Sequence, residues 1–322
     1  MPRQLVTTLL FLSVAVLGAP GTAAGQSKPS VVVTSKPAHS LAAAVMEGIA
    51  PPALLIDSAS SPHTYAMKPS DAQKVNGADL FIRISEALEP FTAKVIKALP
   101  SRVETLTLAE ADGVSLLARR SGGTFEAHGH GGKGHRHAHR EAGSKDSHDP
   151  HIWLDPANAK AMGRAIGAAL MRKLPNEATR IEANVAALHA RIDRVASEIE
   201  STLKPVAGRP FVVFHDSTQY FEQRFGLAAA GSITVSPDVQ PSAKRLSELR
   251  AKLMTLSTVC VFSEPGLQHR VISSVTEGTR ARSGLVDPEG LALEAGPNLY
   301  FTLMKGLARE IKGCLDDTAA RG

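Results

Sequence analysis

The chain has 322 residues, of which 43% are hydrophobic and 21% charged, a balance that excludes a largely disordered protein and leaves room for two domain-sized cores. Its formal net charge is +5, but the lysines and arginines are spread along the sequence and aromatic residues are only 4%. Because nucleic-acid binding needs clustered basic side chains, we expect no nucleic-acid partner.

The first 25 residues have the pattern of a secretory signal peptide: a basic start, an apolar run at 5–17 and small residues at 22–25. The apolar run is shorter than the about 20 residues of a membrane-spanning helix, and no later segment predicts one. We therefore expect the mature chain to be soluble outside the cytoplasm. In an oxidising compartment its two cysteines, Cys260 and Cys314, are expected to be bonded.

Short apolar runs alternate with helical patterns in the first half of the mature chain. Strands are predicted at 31–34, 53–56 and 80–84, with helices at 41–49 and 70–76 between them. Strand, helix, strand in this order predicts right-handed βαβ units and a parallel sheet.

Residues 121–149 interrupt this pattern because they contain almost no apolar side chains. A segment of this length without a core is usually functional or disordered, and clustered histidines among glycines are typical of metal binding. We interpret it as a secondary metal-binding loop, weaker than a preorganised site because wrapping an ion costs conformational entropy. The alternative is a solvated insertion with no such role. The histidines are His128, His130, His135, His137, His139 and His148.

After this loop, helices are predicted at 156–174 and 175–203, the second with apolar residues at three- and four-residue steps. A continuous helix over 175–203 would be roughly 43 Å long, which suits a rigid strut between two domains. Strands at 211–214 and 259–262, around a helix at 242–256, repeat the α/β pattern.

The predicted fold is therefore α/β, with two lobes that each contain a parallel sheet flanked by helices and are joined by one long rigid helix. The predicted organisation is a signal peptide at 1–25, an N-terminal lobe at 26–174, the linking helix at 175–203 and a C-terminal lobe at 204–322.

Three histidines lie in ordered contexts and suggest a metal site. His63 follows the predicted strand 53–56, His215 ends the strand at 211–214, and His151 lies between two Asp-Pro pairs. Ligands bind at the carboxyl ends of strands in open α/β sheets, and Asp287 in Gly-Leu-Val-Asp-Pro is a fourth candidate. Three imidazoles and one carboxylate suit Zn²⁺. The alternative is that these are hydrogen-bonded structural histidines.

Four motifs carry a resemblance to a known family: PHTYAMKPSD at 62–71, DPHIWLDP at 149–156, FHDSTQYFE at 214–222 and CVFSEP at 260–265. On the basis of these four motifs, residues 31–314 resemble the ZnuA-like periplasmic zinc-binding proteins of high-affinity zinc ABC importers. These proteins are members of the metal-binding solute receptors. The resemblance implies a periplasmic protein that captures Zn²⁺ and delivers it to the membrane permease of the importer. We expect it to act as a monomer.

The resemblance also assigns residues. It implies that His63, His151 and His215 bind the metal, and His215, where manganese-selecting relatives often have Glu, favours zinc. Some zinc members have an acidic ligand where this chain has Pro62; others use an aspartate matching Asp287, although water is an alternative fourth ligand. It further implies a disulfide between Cys260 and Cys314, as in some relatives.

Three competing functions remain open at this point. A zinc hydrolase would need a general base, but there is no HExxH helix and no nucleophile motif, so we expect no enzyme. Glu264 is interpreted as a structural carboxylate or one that supports a metal ligand. The second competing function is an extracellular adhesin on the same scaffold, and the third is the same receptor loaded with manganese or iron.

Overall fold

The computed structural model describes residues 28–120, 125, 148–237, 239–256, 260–266 and 269–316. The predicted signal peptide and five of the six histidines of the predicted loop lie outside these residues, and His148 lies within them. Within the described ranges, no helix combines the length and hydropathy needed to cross a membrane.

The N-terminal lobe is a four-stranded parallel sheet in the order β2-β1-β3-β4. The central strands β1 and β3 are entirely buried, and they are the β-branched and apolar runs that the sequence pattern indicates. The strands are β1 (Val31–Val33), β2 (Ala53–Leu54), β3 (Leu80–Arg83) and β4 (Glu104–Thr107). The helices are α1 (Lys36–Val45), α2 (Pro69–Asn76), α3 (Thr92–Ala98) and α4 (Pro156–Lys173).

The long helix α5 (Ala178–Leu203) follows a 3-10 turn at Pro175–Glu177. Its 26 residues span about 39 Å at 1.5 Å per residue. It packs against α1 and α4, and it approaches α4 closely where α4 carries two glycines. A Cβ atom on Gly167 would lie 2.7 Å from Cγ2 of Val185, and one on Gly163 would lie 2.8 Å from Cδ2 of Leu188. The glycines therefore set the helix spacing.

The C-terminal lobe repeats the architecture, with a parallel sheet in the order β6-β5-β7-β8. The strands are β5 (Phe211–His215), β6 (Ala229–Thr234), β7 (Cys260–Ser263) and β8 (Arg282–Leu285). The helices are α6 (Gln219–Phe225), α7 (Ala243–Thr255), α8 (His269–Thr276) and α9 (Leu299–Leu315). Helix α9 packs on both α5 and α1, so α5 contacts helices of both lobes. The predicted fold class is confirmed.

Several elements were not predicted from the sequence. Strand β4 is only half-buried, β6 contains few β-branched residues, and β8 alternates half-buried with exposed positions around Gly284. These edge strands lack the apolar run that marks a central strand, so the pairing with β3, β5 and β7 decides their conformation.

Helix α1 begins at Lys36, five residues before its predicted start, because Pro37 fits the first turn of a helix.

The two cysteines form the predicted disulfide. Cys260 at the start of β7 is bonded to Cys314 near the end of α9, with a sequence separation of 54 residues. The bond ties the last helix of the described chain to a central strand of the C-terminal sheet.

We expect replacement of both cysteines by serine to lower the free energy of unfolding by about 4 kcal/mol, the chain-entropy value for a loop of this size. The measurement is denaturant unfolding of the wild type, the double serine variant and the reduced wild type. Equal stability of the oxidised and reduced wild type would contradict this expectation.

Candidate metal centre

Four metal-ligating side chains meet between the two lobes. His215 is the last residue of β5, and Glu289 lies in the segment that follows β8. His63 lies in the connection after β2, and His151 immediately precedes a 3-10 turn at Ile152–Leu154. Three of the four thus follow the carboxyl ends of parallel strands, where open α/β sheets bind their ligands.

Three of the separations among the four ligand atoms are close to those of a tetrahedral metal site. Nε2 of His151 lies 3.3 Å from Nε2 of His63 and 3.2 Å from Nε2 of His215. Oε1 of Glu289 lies 3.5 Å from Nε2 of His63, and all four atoms lie within 4.8 Å of one another. Ligands about 2.0 Å from a tetrahedral centre are about 3.3 Å apart, so the group is already close to the geometry that Zn²⁺ requires.

Carboxylates fix the orientation of two of the imidazoles. Oδ1 of Asp149 accepts a hydrogen bond from Nδ1 of His151 at 2.7 Å, and Oε1 of Glu264 accepts one from Nδ1 of His215 at 2.7 Å. Because each Nδ1 carries its hydrogen toward a carboxylate, Nε2 faces the centre of the group. Of these two carboxylates, the sequence indicated only Glu264.

The site is buried, and burial dominates its electrostatics. It lowers the pKa values of His63 and His151 well below the usual value for histidine, and the neighbouring imidazoles lower them further. Burial also disfavours the charged form of His215, but the charge and hydrogen bond of Glu264 outweigh it and raise the pKa to about 9. The three imidazoles therefore differ sharply in their affinity for protons.

Glu289 has the environment of a carboxylate that lacks donors. Its side chain is 4% exposed, and Oε1 accepts one hydrogen bond, at 3.0 Å, from Oγ of Ser61. Oε2 is buried and has no hydrogen-bond partner among the described residues. Burial raises its pKa to about 7, although the charge of His215 opposes this shift. A cation among the three histidines would satisfy this carboxylate.

Asp287, the fourth ligand proposed from the sequence, is not part of this group. Its two carboxylate oxygens accept hydrogen bonds from the backbone nitrogens of Leu291 at 2.8 Å and Ala292 at 2.9 Å. The short side chain therefore closes its own turn, as aspartates commonly do. Glu289, two residues later, reaches the histidines in its place. Glu289 is not among the ligands predicted from the sequence, and its only signal there is that it shares the segment after β8 with Asp287.

Other side chains close the site. The ring of Trp153 packs against that of His151 with 5.4 Å between centroids. Tyr65 hydrogen-bonds to Asp71 and packs on Phe91. Arg119, Arg120, Asp216 and Val235 line a small cavity with His63 and His151. Arg120 forms ion pairs with Asp216 and Glu222, which connect the segment before residue 121 to the C-terminal lobe.

We expect Glu264→Gln to weaken Zn²⁺ binding by about 10- to 100-fold, the usual cost of losing a carboxylate that supports a metal-bound histidine. Affinity is measured by competition with a chromophoric chelator. The matched control is Glu248→Gln, because Glu248 is exposed and pairs with Lys244 of the same helix. Equal affinities of the two variants would show that Glu264 has no such role.

Two parallel-sheet lobes joined by a long helix, with a His₃-carboxylate group between them, define the chain as a metal-binding solute receptor. A family model described as "Zinc-uptake complex component A periplasmic", ZnuA, matches residues 31–314. The chain is 40% identical to the high-affinity zinc uptake system protein ZnuA of Brucella abortus (strain 2308), covering 95% of this chain and 98% of the relative. The chain belongs to the ZnuA family.

Other similarities agree with this assignment. The ZnuA protein of Yersinia pestis is 34% identical, covering 89% of this chain and 91% of the relative. The crystal structure of the periplasmic zinc binding protein TroA from Treponema pallidum has a TM-score of 0.72 at 18% identity, covering 89% of this chain and 99% of that one. The latter likeness concerns the fold.

Proposed function

We propose that this protein captures Zn²⁺ in the periplasm and delivers it to the permease of an ABC importer. The observation that carries the proposal is the convergence of three imidazoles and one carboxylate between the lobes, with their ligand atoms within 4.8 Å of one another. Zn²⁺ is the cargo, not a cofactor. Nitrogen ligands favour it over Mn²⁺, which prefers a shell richer in oxygen.

In the proposed site, His63, His151 and His215 supply Nε2 atoms and Glu289 supplies a carboxylate oxygen. Four protein ligands close a tetrahedral shell, whereas a catalytic zinc keeps one position for water. This closure agrees with a family of receptors rather than enzymes and argues against a zinc hydrolase.

The proposal also covers export of the chain, its oligomeric state, its domain limits and the histidine-rich segment. Residues 1–25 act as the signal peptide that exports the chain, which then works as a monomer. The domain limits follow the sequence prediction: an N-terminal lobe at 26–174, the linking helix at 175–203 and a C-terminal lobe at 204–322. The histidines of 121–149 serve as a secondary, weaker zinc-binding segment that increases capture.

We expect His63→Ala to abolish tight Zn²⁺ binding, because it removes one of three nitrogen ligands. The chelator-stripped protein is titrated with Zn²⁺ against a competing chelator, and with Mn²⁺ in parallel. The matched control is His189→Ala: His189 is half-buried and hydrogen-bonds through Nε2 to the carbonyl of Lys160, outside the group. Tight binding that survives His63→Ala, or Mn²⁺ binding as tight as Zn²⁺ binding, would contradict the proposal.

The fourth ligand is tested by two carboxylate-to-amide changes in one segment. We expect Glu289→Gln to weaken Zn²⁺ binding by at least about tenfold, since an amide is a poor zinc ligand. Asp287→Asn should have the smaller effect, because its oxygens bond to backbone nitrogens. Zinc-edge X-ray absorption of both variants reports the number of ligands. The reverse order of affinities would assign the ligand to Asp287.

A further inference from the structure

The segment that carries Glu289 belongs to the C-terminal lobe in sequence but is held by the N-terminal lobe. It leaves β8 and forms a turn closed by the carboxylate of Asp287. Nε1 of Trp153 then donates to the carbonyl of Pro288 at 2.9 Å. Nζ of Lys36, at the start of α1, donates to the carbonyls of Leu291 at 2.9 Å and Leu293 at 2.8 Å.

Lys36 holds this segment although its charged side chain is buried, which is unusual for a lysine. It is 8% exposed, and the two carbonyl oxygens are the hydrogen-bond acceptors of its ammonium among the described residues. No carboxylate in the described ranges forms an ion pair with it. Burying an ammonium group costs free energy unless the group donates hydrogen bonds. Moving the segment away from Lys36 would leave the buried ammonium without these two acceptors, so the two hydrogen bonds hold the segment in place.

Lys36 and Trp153 bracket the proposed ligand. Their acceptors are Pro288 on one side of Glu289 and Leu291 and Leu293 on the other, and Lys36, Trp153 and Glu289 line one small cavity. The backbone of Glu289 is therefore fixed relative to the N-terminal lobe, which also supplies His63 and His151. A shift of about 1 Å in this segment would move the carboxylate out of the coordination distance.

We infer that Lys36 is a positioning residue for the metal site: it fixes the Glu289 segment to the N-terminal lobe so that this carboxylate completes the zinc shell. The inference rests on the proposed function, in which Glu289 binds the metal.

The test is a double-mutant cycle, which separates action through Glu289 from general destabilisation. Zn²⁺ affinity and the rate of release to a chelator are measured for Lys36→Met, Glu289→Gln, the double variant and the wild type. Lys160→Met is the matched control, because the ammonium of Lys160 pairs with Asp193 of helix α5. Thermal unfolding of the metal-free proteins shows whether each variant folds.

We expect Lys36→Met to weaken binding about 10- to 100-fold and to speed release, with no change for Lys160→Met. In the Glu289→Gln background the same change should have no further effect. Lys36→Arg, which keeps a donor, should recover part of the affinity.

Three results would overturn the inference. If Lys36→Met binds Zn²⁺ as the wild type does while Glu289→Gln is weakened, Lys36 does not position the ligand. If the loss caused by Lys36→Met is equally large in the Glu289→Gln background, Lys36 acts on the fold and not through Glu289. If Glu289→Gln binds as the wild type does, the proposed ligand set itself fails.

Discussion

The metal centre places one requirement on the fold: three imidazoles must converge, buried, at the junction of two lobes that fold around separate sheets. The Nε2 atoms are 3.2 and 3.3 Å apart, and the imidazoles repel one another when both are protonated, so the surrounding structure must hold the three rings together. Asp149 and Glu264 orient two of the rings, and Ser61 and Trp153 fix the neighbouring segments. The site is thus prepared for a divalent cation before one arrives.

The long helix explains how two lobes can meet this requirement. Helix α5 contacts α1 and α4 on one side and α9 on the other, so a relative rotation of the lobes would disrupt packing along its whole length. With the lobes restrained, changes at the site are confined to the connecting segments. The Glu289 segment is one of these, since it joins the C-terminal lobe by sequence and the N-terminal lobe by its hydrogen bonds.

Burial of the titratable groups has an energetic cost at this site. It raises the pKa values of Asp149 and Glu289 to about 7 and lowers those of His63 and His151. These buried groups destabilise the lobe junction unless their charges are compensated. The clearest example is Oε2 of Glu289, which is buried without a hydrogen-bond partner among the described residues. A receptor that must both bind and release its cargo benefits from such a balance, because the metal supplies stability that is lost again on transfer.

The fold class, the disulfide and the strands next to His63 and His215 are predictable from the sequence alone. Apolar runs, helical periodicity and motif context are local properties, and parallel βαβ units follow from their order. Tertiary contacts were needed to show that Glu289 and not Asp287 faces the histidines, and that the edge strands β4, β6 and β8 form. Two carboxylates separated by one residue look alike in sequence. Which of them reaches the site depends on the turn that Asp287 closes and on hydrogen bonds from Trp153 and Lys36, which are distant in the chain.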